Sequence, residues 1–281
     1  MLLKYLINMD RKTKIIATVG PSLSSESKIK KIIDAGANVL RINFSHGTLE
    51  DHENVISWAR KSNKQVAIMQ DIQGPKIRTG ISSENTFLEK SKNVTLTNIE
   101  TESNSDIVFI NYENLLRDVN VDDRVFIDDG QIVLKVVEKE NDKLEALILI
   151  GGELRDNQGV AFPDSNLSVS AITEKDKEHL KFGSEHDVDF VAVSFVRNAS
   201  DINLVKEIIP KDVKVIAKIE LKTALDNIDE ILDVADGVMV ARGDLGVQLP
   251  LEQVPFVQKQ ILDAANKRGK ISITATEMLQ S

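Results

Sequence analysis

Short apolar runs alternate with stretches of helical periodicity through most of the chain. Residues two apart on a strand share a face, whereas apolar residues three and four apart share one side of a helix. On that basis TKIIATVG, NVLRINFS and QVAIMQDI predict three buried strands. Between the first two, Ile29, Ile32, Ile33 and Ala37 have helical spacing, and LEDHENVISWARKS predicts a helix before the third. From about Gly80 to Phe162 the rhythm becomes short and alternating, as in NVTLTNI, DIVFINY and DRVFIDDGQIVLKVVEKENDKLEALILIGG. Asp129-Gly130 and Asn141-Asp142 are turn signals there, so this stretch predicts a small all-β insertion. VDFVAVSF, VKVIAKIE, DGVMVARGD and KISITAT then restore the strand–helix rhythm. The helical stretch LEQVPFVQKQILDAANKRG ends on Lys267, Arg268 and Gly269, a good stop.

Seven parallel-type strands with helices between them, and no Gly-rich dinucleotide turn, favour an α/β fold of the (β/α)8 TIM-barrel type over an open dinucleotide-binding sheet. The sequence stops at Ser281, just after the seventh strand, so the expected barrel lacks its last strand and helix. The expected boundaries are an N-terminal extension over 1–11, barrel over 12–79, the β insertion over 80–162 and barrel again over 163–281.

With 281 residues, 42% of them hydrophobic, the chain can bury a large core. A net charge of -9 argues against wholesale nucleic-acid binding, so an anionic ligand needs local cations or a metal. No cysteine is present, which removes disulfides, thiolate metal sites and thiol nucleophiles. No apolar run approaches the ~20 residues of a membrane span, and the apolar piece in MLLKYLINMDRKTK is too brief for a signal peptide. Met1 to Asn8 therefore reads as a disordered or loosely docked extension, an upstream start before Met9 being the other reading, and the expected location is cytoplasmic.

Charge breaks the apolar pattern at the strand ends. In VKVIAKIE, Lys218 and Glu220 are two apart and so share a face, where an unpaired buried charge is costly. Other strand ends carry Arg41-x-Asn43-x-Ser45 followed by His46 and Gly47; Asp71 followed by Lys76 and Arg78; Ser194; Arg242, Gly243 and Asp244; and Ser272, Thr274 and Thr276. Each alone also fits a solvated strand end, a capped turn or a polar barrel layer. Six of the seven strand ends, however, break the pattern in the same place, which favours a site. In a barrel those ends gather on one rim. Glu220 and Asp244 there would repel unless a cation joined them, and oxygen-only ligands suit Mg²⁺ or Mn²⁺. Arg41, Lys76, Arg78 and Lys218 suit phosphate, so the combined chemistry is phosphoryl transfer.

KIIATVGPSL, GANVLRINFSHG, DIQGPKIRTG, DGQIVL, VSFVR, VIAKIE, MVARGDLGV and TATEML, in that order, resemble the signature stretches of the pyruvate kinase family. The resemblance runs from about Lys12 to the end and puts the β insertion where that family has its lid domain. It implies the conversion of phosphoenolpyruvate and ADP to pyruvate and ATP. By the same resemblance, Glu220 and Asp244 hold the divalent metal, and Lys218 stabilises the phosphoryl group and the enolate. Arg41 binds the transferring phosphate, Ser194 lies among the substrate contacts, and Gly243, Asp244 and Thr276 take the substrate carboxylate. Thr276 also lies near the path of enolate protonation, and Pro21, Asn43, His46 and Arg78 line the nucleotide side.

Three departures from the family pattern stand out. Many members hold K⁺ with an Asn, a Ser, an Asp and a Thr carbonyl, next to a glutamate. Asn43, Ser45 and Asp71 match, but Ile72 takes the threonine position and Lys76 the glutamate position, so the expectation is that K⁺ is not required. The lid stretch DNQGVAFP has Gln158 where a lysine is usual, and Ala161 also departs, which removes one expected nucleotide contact. The family also continues past Ser281 into a further domain for effectors and subunit contacts, and full-length relatives form homotetramers. The alternatives are a metal-dependent aldolase or lyase of the same barrel type, and a catalytically silent truncated product. No nucleic acid or membrane partner is expected.

Overall fold

The computed structural model describes residues 12–62, 65–84 and 86–275. Its strands in chain order are β1 (Ile16–Val19), β2 (Val39–Asn43), β3 (Ala67–Ile72), β4 (Phe87–Leu88), β5 (Asn93–Thr97), β6 (Ile107–Phe109), β7 (Arg124–Ile127) and β8 (Ile132–Lys139). They continue as β9 (Leu144–Ile150), β10 (Gly152–Glu153), β11 (Val160–Ala161), β12 (Phe190–Val193), β13 (Lys214–Ile219), β14 (Gly237–Ala241) and β15 (Ile271–Ala275).

The seven strands expected of the barrel form one sheet in the order β1-β2-β3-β12-β13-β14-β15. The pairs β1–β2, β2–β3, β13–β14 and β14–β15 are parallel. Once the insertion is set aside, each strand lies beside its predecessor in sequence. That winding belongs to a barrel, because a doubly wound sheet reverses its strand order at a switch point. The α/β barrel-type expectation therefore holds.

The chain divides into two compact units. The first comprises the described residues of 1–73, 174–192 and 206–215. Its core includes Ile29 and Ile33 of the Glu26–Asp34 helix, Val55 and Ile56 of the Leu49–Arg60 helix, and Leu40, Ile42, Ile68 and Met69 of β2 and β3. The Leu49–Arg60 helix starts sharply. Thr48 Oγ1 accepts from the Asp51 N–H at 3.2 Å and Asp51 Oδ2 accepts from the Thr48 N–H at 2.9 Å, a complete capping box.

The second unit comprises the described residues of 74–173, 193–205 and 216–281. It contains a six-stranded sheet in the order β11-β7-β8-β9-β5-β6 and the two-stranded pair β10-β4. That region has an apolar core of its own, running from Leu88 to Phe162. The sequence's turn signals fall where they are needed. β7 and β8 pair antiparallel from Ile127↔Ile132 around Asp129-Gly130, and Asn141-Asp142 lies between β8 and β9. One element ends earlier than expected: β14 stops at Ala241, and Arg242–Gln248 is a short helix rather than a strand continuation. Asp244 sits in its first turn, where the helix dipole favours an acid. No helix among the described residues is long and apolar enough to cross a membrane.

Candidate active site

Lys218 and Glu220 do share a face of β13. The Lys218 Nζ lies 2.8 Å from Glu220 Oε1, and both residues are buried, at 9% and 2% exposure. The same ammonium donates to Ser194 Oγ at 2.7 Å, just past the end of β12. The second Glu220 oxygen, Oε2, accepts from the Phe195 N–H at 2.8 Å. Burial pushes the Glu220 carboxyl above its ordinary pKa, Asp244 pushes the same way, and Lys218 opposes both. This buried acid is thus costly to ionise without further positive charge.

Asp244, the other carboxylate expected at the metal, acts electrostatically on both Glu220 and Lys76. Its helix is tied back to the sheet by Arg242, whose Nε donates to the Ala275 carbonyl at 3.2 Å. Among the described residues no group of three or more His, Asp or Glu gathers as a protein-only metal cage. Glu220, whose carboxyl pKa is raised by burial, and Asp244 nevertheless offer the kind of oxygen donors that fit Mg²⁺ or Mn²⁺, which commonly take one or two carboxylates and complete their shell with substrate and water.

Lys76 is exposed on the segment leading into the β insertion. Desolvation still lowers its ammonium pKa, and the Arg78 charge adds to this; Asp129 and Asp244 oppose it. Arg78 donates through Nη1 to the Asn157 carbonyl at 2.5 Å. Gln158, at the position where a nucleotide contact was discounted, turns its Oε1 inward to accept from the Arg155 N–H at 3.0 Å.

The first unit carries a separate cluster. Arg41 Nε lies 2.6 Å from Asp71 Oδ2, and its Nη1 donates to Thr18 Oγ1 at 3.0 Å. Asp71 is 1% exposed, so the pair fixes the direction of the guanidinium strongly. β2 and β3 are in register with Asn43 opposite Asp71, which sets the carboxylate near the strand end. Asn43 Oδ1 accepts from the Ser45 N–H at 3.0 Å and so shapes the turn into His46. His46 is exposed, Ile72 is fully buried, and Pro21 opens a 3₁₀ turn after β1. Thr276 lies outside the described residues. Of the expected monovalent-cation residues, Asn43, Ser45, Asp71 and Ile72 belong to the first unit and Lys76 to the second.

Two participants were not legible beforehand. Thr18 reads as one more residue of an apolar strand, although its hydroxyl breaks the buried run. Phe195 reads as the apolar end of VDFVAVSF; its contribution is a backbone N–H, which no side-chain pattern reports.

The family model described as pyruvate kinase, barrel domain, matches residues 10–281. The chain belongs to the pyruvate kinase family. It is 45% identical over 281 residues to a pyruvate kinase of Staphylococcus aureus, covering 96% of this chain and 48% of that protein. It is 44% identical over 279 residues to the pyruvate kinase of Thermotoga maritima, covering 96% of this chain and 60% of that protein. The chain thus spans about half the length of the curated pyruvate kinases it matches. The barrel-domain match takes in every strand from β1 to β15, the Lys218–Glu220–Ser194 cluster and the Arg41–Asp71 pair.

Proposed function

We propose that this chain carries the site of a pyruvate kinase, transferring the phosphoryl group of phosphoenolpyruvate to ADP. The observation that carries the reading is the buried Lys218–Glu220 pair, bonded to Ser194 and within reach of the Asp244 charge. A buried cation and acid of this kind are retained where phosphate and metal charges complete them. In the reaction, the bond between phosphorus and the enol oxygen breaks while a β-phosphate oxygen of ADP bonds to phosphorus. The enolate left behind takes a proton at its methylene carbon and becomes pyruvate.

Glu220 and Asp244 would hold Mg²⁺ or Mn²⁺, which would supply positive charge to the substrate oxygens. Lys218, aimed by Ser194, faces the transferring phosphoryl group and the enolate oxygen and stabilises the charge that moves between them. Arg41, aimed by Asp71 and Thr18, grips the phosphate. The backbone N–H groups of Gly243 and Asp244, with the Thr276 hydroxyl, take the substrate carboxylate, and Thr276 lies near the protonation path. Pro21, Asn43, His46 and Arg78 face the nucleotide, and the β insertion over 80–162 serves as the lid.

Lys76 stands in for a monovalent cation, so the enzyme works without K⁺. What supports this is the place of Lys76 in the chain, at the position of the family's usual glutamate, with the Asp129 and Asp244 charges offsetting part of the desolvation and Arg78 repulsion that lower its ammonium pKa. The test is pyruvate formation by the 281-residue chain from phosphoenolpyruvate, ADP and Mg²⁺, in Na⁺ or K⁺ at equal ionic strength. Equal turnover in both salts is expected. Activation by K⁺ alone would overturn the role of Lys76, and metal-dependent turnover of an enolate without nucleotide would point instead to a lyase. A properly folded chain that releases no pyruvate in either salt would refute activity of the chain itself.

A further inference from the structure

Phe195 is one of the few non-glycine residues in the left-handed region, with φ at 54°. A bulky residue there is a steric outlier that persists only where its surroundings over-determine it. Its neighbours in sequence are locked in place: Val193 and Val196 are fully buried and Ser194 is 3% exposed. The outcome of the strained turn is specific. Ser194 sends its hydroxyl to the Lys218 ammonium at 2.7 Å, and the next residue sends its N–H to Glu220 Oε2 at 2.8 Å. With Oε1 on Lys218, the carboxylate is held by both of its oxygens.

Gly74 lies against the same turn. It has φ at 67°, and a Cβ there would come within 3.1 Å of Phe195 Cδ2, 3.3 Å of the Ser194 carbonyl oxygen and 3.4 Å of Ser194 Cβ. A side chain here would make the Phe195 ring or the Ser194 backbone give by a few tenths of an ångström, and the positive φ would strain it besides. Ring and glycine together wedge the turn and deny Phe195 the extended conformation it would otherwise prefer.

We propose that Phe195 is a positioning residue, whose left-handed backbone, clamped between its own ring and Gly74, orients the Glu220 carboxylate for a divalent cation. The proposal rests on the reading of Glu220 as a cation ligand. It acts on the metal through Glu220 alone, because groups that bond a ligand's free lone pairs set its direction. Mg²⁺ and Mn²⁺ are sensitive to such direction, since Mg²⁺ in particular demands near-octahedral geometry.

The test is Mn²⁺ binding to the purified 281-residue chain, followed by the spin-resonance signal of free Mn²⁺, with no substrate and no turnover. Phe195→Ala removes the wedge and lets the backbone relax, so Kd should rise about ten-fold, the lower end for losing a group that orients a ligand. Gly74→Ala should raise it similarly by pushing the turn from the other side. The double variant should be no worse than the weaker-binding single, because both act through one contact. Phe195→Asn should return to within a few-fold of the parent, since Asn tolerates the left-handed region. That rescue separates a backbone role from simple loss of ring packing.

If Glu220→Gln loses Mn²⁺ while folded Phe195→Ala and Gly74→Ala keep the parent Kd, the positioning role falls and the cation reading stands. An Asn variant as weak as the Ala variant would also overturn the backbone role. Parental Mn²⁺ affinity in Glu220→Gln, or no binding by the parent, would remove the cation reading and the role of Phe195 with it. Circular dichroism establishes folding of each variant, and Gly74→Ala, which leaves Phe195 intact, decides the matter if Phe195→Ala does not fold.

Discussion

Lys218→Met is the sharpest single perturbation of the proposed site. Met fills a similar volume but removes the charge, and with it two contacts of 2.8 and 2.7 Å to Glu220 and Ser194. Two losses follow, on different links of the argument. The first is catalytic: a preorganised donor facing developing charge is worth ~10²–10³ in kcat, so turnover should fall by at least ~10²-fold. The second is structural. Glu220 is 2% exposed and loses its counter-charge, and breaking a buried pair typically costs about 3–5 kcal/mol. At about 2–4 °C per kcal/mol for a chain of this order of size, the metal-free protein should melt at least ~6 °C lower. Mg²⁺ supplies positive charge at Glu220, so saturating Mg²⁺ should recover more melting temperature in the variant than in the parent. The assays are coupled pyruvate formation and thermal melts with and without Mg²⁺. Turnover within a few-fold of the parent would refute the role given to Lys218. A variant melting at the parent's temperature would refute the claim that Glu220 depends on it for its charge.

Asp71→Asn keeps the shape but removes the charge that aims Arg41 at 2.6 Å, so KM for phosphoenolpyruvate should rise about ten-fold with a smaller fall in kcat; an unchanged KM would show that Arg41 needs no such guide. Lys76→Glu should make turnover depend on K⁺ over Na⁺ at fixed ionic strength, and equal rates in the two salts would count against the tethered-cation reading. His52 and His179 flank the Phe44 ring at 4.2 and 5.1 Å, and burial lowers both pKa values below the ordinary 6.5. The unfolded chain therefore takes up protons first, and stability should be full above about pH 6.5 and fall as pH drops toward the depressed values. Urea melts at pH 7.5 and 5.5 measure this, and His179→Leu, at a position whose buried Nδ1 has no hydrogen-bond partner among the described residues, should flatten the slope. A slope unchanged by that substitution would place the acid sensitivity elsewhere.

Period-two and period-3.6 patterning is a local property, which is why the seven sheet strands and the inserted β region could be read from the chain. The same alternation put Lys218 and Glu220 on one face, and the distance between their charges agrees. The parity of Arg41, Asn43 and Ser45 marked a strand end, and the Asn43–Ser45 turn is a local bond that a sequence can anticipate. Parity along DGVMVARGD misled in one respect, because the chain leaves the sheet at Ala241 and turns into a helix. Nothing in a strand's apolar rhythm says where its successor helix must begin.

What only the tertiary structure decided is which partner each charged group takes. Arg41 could have served any anion, and the register of β2 against β3 together with Thr18 on β1 gives it Asp71. Arg78 looked like a bare phosphate ligand until the Asn157 carbonyl claimed one of its donors. The strained N–H of Phe195 had no sequence signature, since backbone direction depends on Gly74, Ser194 and Glu220 meeting from three separate stretches. Amino-acid identity determines which groups are charged and which face of an element they occupy, because those follow from neighbours along the chain. Pairing, burial and backbone strain arise between segments far apart in sequence, and those are the terms that give each charged strand end its partner.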